Sequence, residues 1–325
     1  MTPNKATPAQ VLVNLVQLFF FAYLAFLGSF LTIALLGHQV VVIPSLFGIP
    51  IIAQAYKVAR LLRARKSKDL LLILSSATFA ASIGLMRWSR GSDPDIFHAI
   101  AVRYWNSIDN KIPGFFAKAL VSGEHLRPYL FGDWQSSDRP PLASGFLIPL
   151  GRFGRNQLLE FVVLVVVSSL IVITLRLTLE TAGLHSKAAA IIAVSIFCSP
   201  GIFTNVIYTW PKIPSASLVL IAYALAFTKS DLRRSSAWVG LAIALAYLAH
   251  GSATFALIPL IVLLIWKRGA KYAAFAVAVS LLLVIPWFVY QSRFDPPGNR
   301  LLFWHLAGLT TPPSRGGVFR AIRNT

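Results

Sequence analysis

The sequence is short of charge, and of acid above all. Only 13% of its 325 residues are charged, and eleven carboxylates stand against thirty lysines and arginines. A single cysteine, Cys198, excludes an intrachain disulfide framework and any CxxC metal site. It lies inside an apolar run and reads as a small filler there. No nucleic-acid motif accompanies the formal charge of +19. The basic residues mostly flank apolar runs, so membrane orientation and lipid phosphate contacts explain them better than nucleic acid does.

What the chain has instead is apolar length. Hydrophobic residues make up 56% and mean hydropathy is +0.69, against about 45–50% apolar and about 25% charged residues in ordinary soluble domains. Nine spans are expected, at about 11–36, 39–56, 70–87, 158–176, 188–205, 213–228, 236–250, 252–266 and 272–290. They should be helices, because an open strand cannot satisfy its backbone in lipid. Pro44 and Pro50 mark the second as kinked or re-entrant. The run from Val11 to Leu36 is too long for a signal-peptide core and lacks a small-residue cleavage site, so it reads as a retained span. The expected fold is an all-α polytopic membrane protein.

Charge asymmetry sets the expected orientation. Lys57, Arg60, Arg63, Arg65, Lys66 and Lys68 crowd one short segment; Lys229, Arg233 and Arg234 a second; Lys267, Arg268 and Lys271 a third. All three fall on one side, and the opposite turns carry almost nothing but Lys212. The basic side, with the N-terminus, is therefore expected in the cytoplasm. Two long segments, 88–157 and 291–325, are then extracytoplasmic. Trp88, Trp210 and Trp287 at outer span ends and Trp266 at an inner end suit an interfacial belt. Asp69, Glu180, His185 and Asp231 read as solvated charges in cytoplasmic turns. Glu160, at the outer mouth of the fourth span, needs a protein or water neighbour.

The first outer segment opens with Asp93 and Asp95, one residue apart, just beyond the third span. Asp93 can cap a helix that has Pro94 at its first position, and residues 96–108 carry the pattern of an interfacial helix. Helix capping is one reading of the pair. The other is a general base, or a divalent cation site for Mg²⁺ or Mn²⁺, since oxygen ligands suit both ions. A low-dielectric boundary favours the neutral carboxyl, which helps proton abstraction. The same segment ends in Asp138-Arg139-Pro140-Pro141-Leu142, before an apolar stretch that dips back toward the membrane. This is either a rigid turn with a local ion pair, or a second acid facing the first with Arg139 for an anion. Tyr208 and Lys212 flank a tight outer turn. Lys212 suits either a phosphate at a helix N-terminus or a snorkelling role. His250 sits in another outer turn, as a cap or as a site residue. Beyond the last span, Arg293 and Arg300 lead a stretch with five arginines against one aspartate, compatible with an anionic lipid headgroup.

An acidic pair on the first large outer loop, directly after a span and before an interfacial helix, resembles the GT-C class of polyprenyl-phosphate-sugar-dependent glycosyltransferases. Asp138-Arg139-Pro140-Pro141-Leu142 resembles the charged-residue-plus-PPL motif in the same loop of bacterial dolichyl-phosphate-mannose-mannosyltransferase-like members. The resemblance covers about 70–325 and implies a seven-helix module. Residues 1–69 would add two spans, 70–290 would hold the module with loop 88–157, and 291–325 would begin a second outer loop, cut short in a truncated chain, the whole in a bacterial-type inner (plasma) membrane. The implied partner is a polyprenyl-phosphate-linked sugar in the membrane. Asp93, Asp95 and Asp138 are the implied catalytic residues; Arg139, Tyr208, Lys212, His250, Arg293 and Arg300 would bind substrate. A secondary transporter, a lipid-linked glycan polymerase or ligase, and a non-catalytic membrane fragment are the rival expectations. The transporter would call for mid-membrane acids or broken helices, and neither is evident in the sequence.

Overall fold

The computed structural model describes residues 6–36, 44–86, 112–122, 135–153, 157–228 and 231–294. Among them all regular structure is helical: α1 (Pro8–Leu36), α2 (Pro44–Arg65), α3 (Ser67–Met86), α4 (Ile112–Ser122), α5 (Leu142–Leu147), α6 (Gln157–Thr181), α7 (Ser186–Phe197), α8 (Pro200–Ile207), α9 (Lys212–Phe227), α10 (Leu232–Ala249), α11 (Thr254–Arg268) and α12 (Ala270–Phe294). Single 3₁₀ segments occupy Ser136–Asp138, Ile148–Phe153 and Gly251–Ala253.

Helices lie at every expected span position. Four stretches, Pro8–Ile33, Leu158–Thr181, Gly251–Arg268 and Ala270–Arg293, are each long and apolar enough to cross a bilayer, and α7 with α8 makes a fifth if the bent pair is one span. Among the described residues that is fewer than the nine expected. α2 illustrates the difference. The segment 57–68, expected as a loop, forms the last turns of α2, a break at Lys66 and the start of α3. Its basic residues load the helix itself.

The span expected at 188–205 is broken. Ser199 is extended (φ −62°, ψ 141°) ahead of Pro200, as sterics before proline favour, and the two halves bend by 68°. The absence of broken helices, expected from sequence, is thereby corrected. α7 buries only Ala189, Ala193 and Phe197, so the break lies at the edge of the bundle. Cys198 caps α7 there and is exposed, not packed inside.

Helix ends follow local chemistry. Asp231 caps α10 by accepting from the N–H groups of Arg233 (2.9 Å) and Arg234 (3.2 Å). α6 ends at Gly183 (φ 97°), where Gly183 N–H reaches the Glu180 carbonyl and Leu184 N–H reaches that of Leu179, a Schellman closure. Arg268, buried at the end of α11, donates to the carbonyls of Leu225, Ala226 and Thr228 at 2.7–2.9 Å. It thus satisfies the exposed acceptors at the C-terminus of α9 and complements that helix's dipole.

α10 is the centre of the packing. Its small residues, among them Ser236, Gly240, Ala242 and Ala246, are buried against α9 and α12. A Cβ at Gly240 would stand 2.3 Å from the Ala276 carbonyl oxygen, so the two backbones touch. Hydroxyls bridge the close contacts: Ser280 Oγ donates to Gly240 O at 2.7 Å and Ser215 Oγ to Ala246 O at 2.9 Å. This is packing by small residues and cross-helix hydrogen bonds, the kind that works where water gives no hydrophobic drive. Phe255, Ile258 and Val262 of α11, Leu281, Leu282 and Ile285 of α12, and Ile49, Ile52 and Leu71 on the α2–α3 side are all exposed. An apolar exterior of that extent needs lipid against it.

Candidate functional site

One end of the bundle gathers the returning loop segments. Residues 135–153 fold down onto α1 and α12. Asp138 is 7% exposed, and its Oδ2 accepts from Gln135 N–H at 2.8 Å, closing the 3₁₀ turn. Arg139 Nη1 donates to the Asp138 carbonyl at 3.1 Å. Asp138 is thus a buried turn-former, not part of a surface turn. Beside it, Ser136 Oγ is hydrogen-bonded to Tyr290 Oη of α12 across 154 residues of sequence. Tyr290 stacks on Trp287 and meets Phe26, Phe30 and Phe116 edge-on or tilted, with centroids 5.2–6.0 Å apart. Trp287, expected in the interfacial belt, is 1% exposed in this aromatic knot. Pro140 and Pro141 then steer the chain into α5, which is wedged against the middle of α1. A Cβ on Gly145 would lie 2.1 Å from the Ala22 carbonyl oxygen. The segment after Pro141 thus reaches the middle of a helix long enough to cross a bilayer.

Two residues of turns expected on the outer side stand near this wedge. Leu142 and Phe146 share a small apolar niche with Thr209 and Pro211 of the α8–α9 turn and with Ala249, the neighbour of His250. Thr209 adopts φ 55°, unusual for a β-branched residue, in a turn where Tyr208 and Trp210 rings lie 5.6 Å apart. Lys212 is exposed at the start of α9, with Nζ 4.2 Å from the Trp210 ring centre. The cation is thus held over the face of the Trp210 ring. His250 Nδ1 accepts from Ser252 N–H at 3.1 Å and lies 2.7 Å from Ser252 Oγ, which makes it the cap of the 3₁₀ segment before α11. Glu160, in the first turn of α6, faces protein: its carboxylate packs beside Gly114 in the first turn of α4. Arg293 is exposed one turn beyond Tyr290 on α12.

Asp93, Asp95, Arg300, Trp88 and the expected interfacial helix at 96–108 lie outside the described residues. Among the described residues, no three His, Cys, Asp or Glu side chains converge as a metal site.

The densest charge cluster lies at the opposite end. Arg65 pairs with Asp69 at 2.6 Å, Asp69 with Arg176, Arg176 with Glu180 at 3.2 Å, and Glu180 with Arg65. The four form a closed ring of alternating sign, each at most 8% exposed at its side chain. Ser186 Oγ adds a contact to Arg176 Nη2 at 2.9 Å and another to Lys66. Asp69 and Glu180 were expected as solvated charges, and the ring corrects this. Carboxylates this deep are tolerated because each is matched by guanidinium groups. The sequence did carry a signal: Arg176-x₃-Glu180 places an opposite pair on one face of α6, and Arg65-x₃-Asp69 has the same spacing, although the break at Lys66 puts its two members on successive helices. Asp231 and His185, by contrast, are exposed helix caps, as their turn positions suggested.

Interior packing through small residues, an apolar exterior and charge confined to the ends define a multi-pass α-helical membrane protein. No family model matches the chain, and no curated protein or solved structure is similar to it.

Proposed function

We propose that the protein is a GT-C-type glycosyltransferase that moves a sugar from a polyprenyl-phosphate donor to an acceptor hydroxyl on the extracytoplasmic side. One observation carries most of this reading. The Asp138–Leu142 segment is anchored to α12 through Ser136 and Tyr290, and it shares a niche with the turn that holds Lys212. The end of the first long loop and a later cation-bearing turn thus belong to the same end of the bundle, as a reaction between a loop acid and a lipid phosphate requires. In this reading Asp93, with Asp95 second, deprotonates the acceptor hydroxyl. The acceptor oxygen attacks the anomeric carbon, its configuration inverts, and polyprenyl phosphate leaves. Lys212, Arg293 and Arg300 stabilise the charge that grows on the leaving phosphate. Asp138, buried in its own turn, acts as a positioning residue. Arg139, Tyr208 and His250 line the substrate side, and Asp93 with Asp95 would hold Mg²⁺ or Mn²⁺ if the reaction uses one.

The test is transfer from a radiolabelled polyprenyl-phosphate sugar by the full chain in membranes. Asp93→Asn or Asp95→Asn should lower turnover about 10²–10⁴-fold, the usual worth of a general base, with membrane insertion unchanged. Undiminished transfer by both variants would end the assignment. A secondary transporter is the second reading, favoured by the broken α7–α8 pair; accumulation of free solute in proteoliposomes without any transfer product would select it.

A further inference from the structure

The basic end of the bundle holds a cleft of about 500 Å³ between the start of α1, the later half of α2 and the α9–α10 turn. That size suits a small polar ligand or headgroup. Its polar lining includes Gln10, Asn14 and Gln17, which lie on one face of α1, the charged Lys57, Asp231 and Arg234, and three hydroxyl residues.

The hydrogen bonds around the cleft determine what it can offer. Thr7 N–H donates to Gln10 Oε1 at 2.7 Å while Gln10 N–H donates to Thr7 Oγ1 at 3.2 Å, a capping box that fixes the Gln10 amide with its oxygen turned back to the backbone. Gln54, 6% exposed, donates through Nε2 to the Asn14 carbonyl at 2.9 Å, which fixes its own amide. The same nitrogen lies 3.0 Å from both Asn14 Oδ1 and Gln17 Oε1, which share its remaining hydrogen. The oxygens of all three α1 amides are thus engaged within the protein, and Asn14 Nδ2 is used on the Gln10 carbonyl at 2.7 Å. The NH₂ groups of Gln10 and Gln17 are what the amide wall presents. Asp231 accepts the N–H groups of Arg233 and Arg234 through Oδ1, and its carboxylate is the one acidic group on the lining, outnumbered by the two cations. Lys57 and Arg234 add two exposed cations. A wall of donors and cations, beside the N-terminus of a helix, calls for a ligand that is anionic and only accepts hydrogen bonds.

We propose that this cleft binds the phosphate of an anionic phospholipid headgroup from the leaflet at the basic end of the bundle. Phosphate supplies the acceptors and the negative charge. Ala9, Val13, Leu225 and Trp238 give the apolar wall that a glycerol backbone and the first acyl carbons require. Basic pockets between spans at a charged leaflet suit such headgroups on general grounds. The site lies at the other end of the molecule from the proposed sugar-transfer centre and does not depend on it.

Native mass spectrometry of the full chain in detergent, with phosphatidylglycerol, phosphatidylcholine or inorganic phosphate added, tests the proposal. Phosphatidylglycerol should bind in preference to phosphatidylcholine. Lys57→Gln with Arg234→Gln, both at exposed side chains, should weaken that binding about thirtyfold, the combined worth of two cations near a headgroup. An unchanged melting temperature without lipid shows that the double variant is folded; should it melt lower, the single Lys57→Gln variant carries the comparison. Equal binding of the two lipids, or a preference kept by the variant, would overturn the assignment. Displacement of phosphatidylglycerol by inorganic phosphate at equal concentration would overturn the lipid source and give the cleft to a soluble phosphate.

Discussion

Replacing Asp69 with Asn tests the charge ring where it is most sensitive. Asp69 is fully buried and pairs with both Arg65 and Arg176. The substitution keeps the side-chain shape but removes one of two negative charges. Arg65 and Arg176 are then left facing one another across Glu180 alone. Removing one partner of a buried pair costs about 3–5 kcal/mol, because the remaining charge stays desolvated. At about 2–4 °C per kcal/mol, the melting temperature should fall by about 6–20 °C. The control replaces all four members together, Arg65→Met, Asp69→Leu, Arg176→Met and Glu180→Leu. It removes the desolvation cost along with the attraction, so it should melt much closer to the unmodified protein than Asp69→Asn does. Melting in detergent, followed by loss of the monodisperse peak, gives both values. If Asp69→Asn melts like the unmodified protein, the ring is solvated and the reasoning fails. If the fourfold variant is the worse of the two, the pairs contribute net attraction well beyond what desolvation allows.

Three other perturbations follow from single contacts. Gly145→Ala places a methyl 2.1 Å from the Ala22 carbonyl oxygen, so α5 must leave α1; a loss above about 3 kcal/mol is expected, seen as a sharp fall in folded monomer on size exclusion. Tyr290→Phe and Ser136→Ala each remove the same hydrogen bond and should each cost about 1 kcal/mol, with the double variant costing no more than about either alone; additive losses would show that the two hydroxyls do not interact. Arg268→Gln withdraws donors from three carbonyls at the end of α9 and should cost about 3 kcal/mol, with faster amide exchange confined to residues 224–228 and the start of α10; unaltered exchange there would refute the capping role.

Much of the helical layout was legible because lipid leaves the backbone few choices, and an apolar run of sufficient length declares itself. The basic segments likewise marked one end correctly as a common end: Arg65, Glu180, Arg268 and Leu225 meet their partners there. What periodicity could not show was how a polar residue is satisfied. Asp69 and Asp231 both stand near the start of a helix. One is sealed by two arginines from different helices and the other is left in the open. That difference depends on residues more than a hundred positions away. Trp287 misled for the same reason, since an aromatic at a span end looks alike whether it meets lipid or Phe26 and Tyr290. The break at Ser199-Pro200 was readable from the proline alone and was outweighed by the apolar run around it. At the candidate site, the Asp138–Leu142 segment and Lys212 turn were identified by residue type. Their shared niche came only from the tertiary arrangement.

The ring also gives Arg65 two successive tasks. During insertion a positive side chain beside an emerging hairpin helps decide which way that hairpin faces, and acids contribute little to the decision. At that moment the second half of the ring, more than a hundred residues downstream, has not yet been synthesised. Once Arg176 and Glu180 arrive, Arg65 is sealed in a ring of balanced charge. Counting arginines along the chain therefore overstates the charge that the folded protein shows at this end.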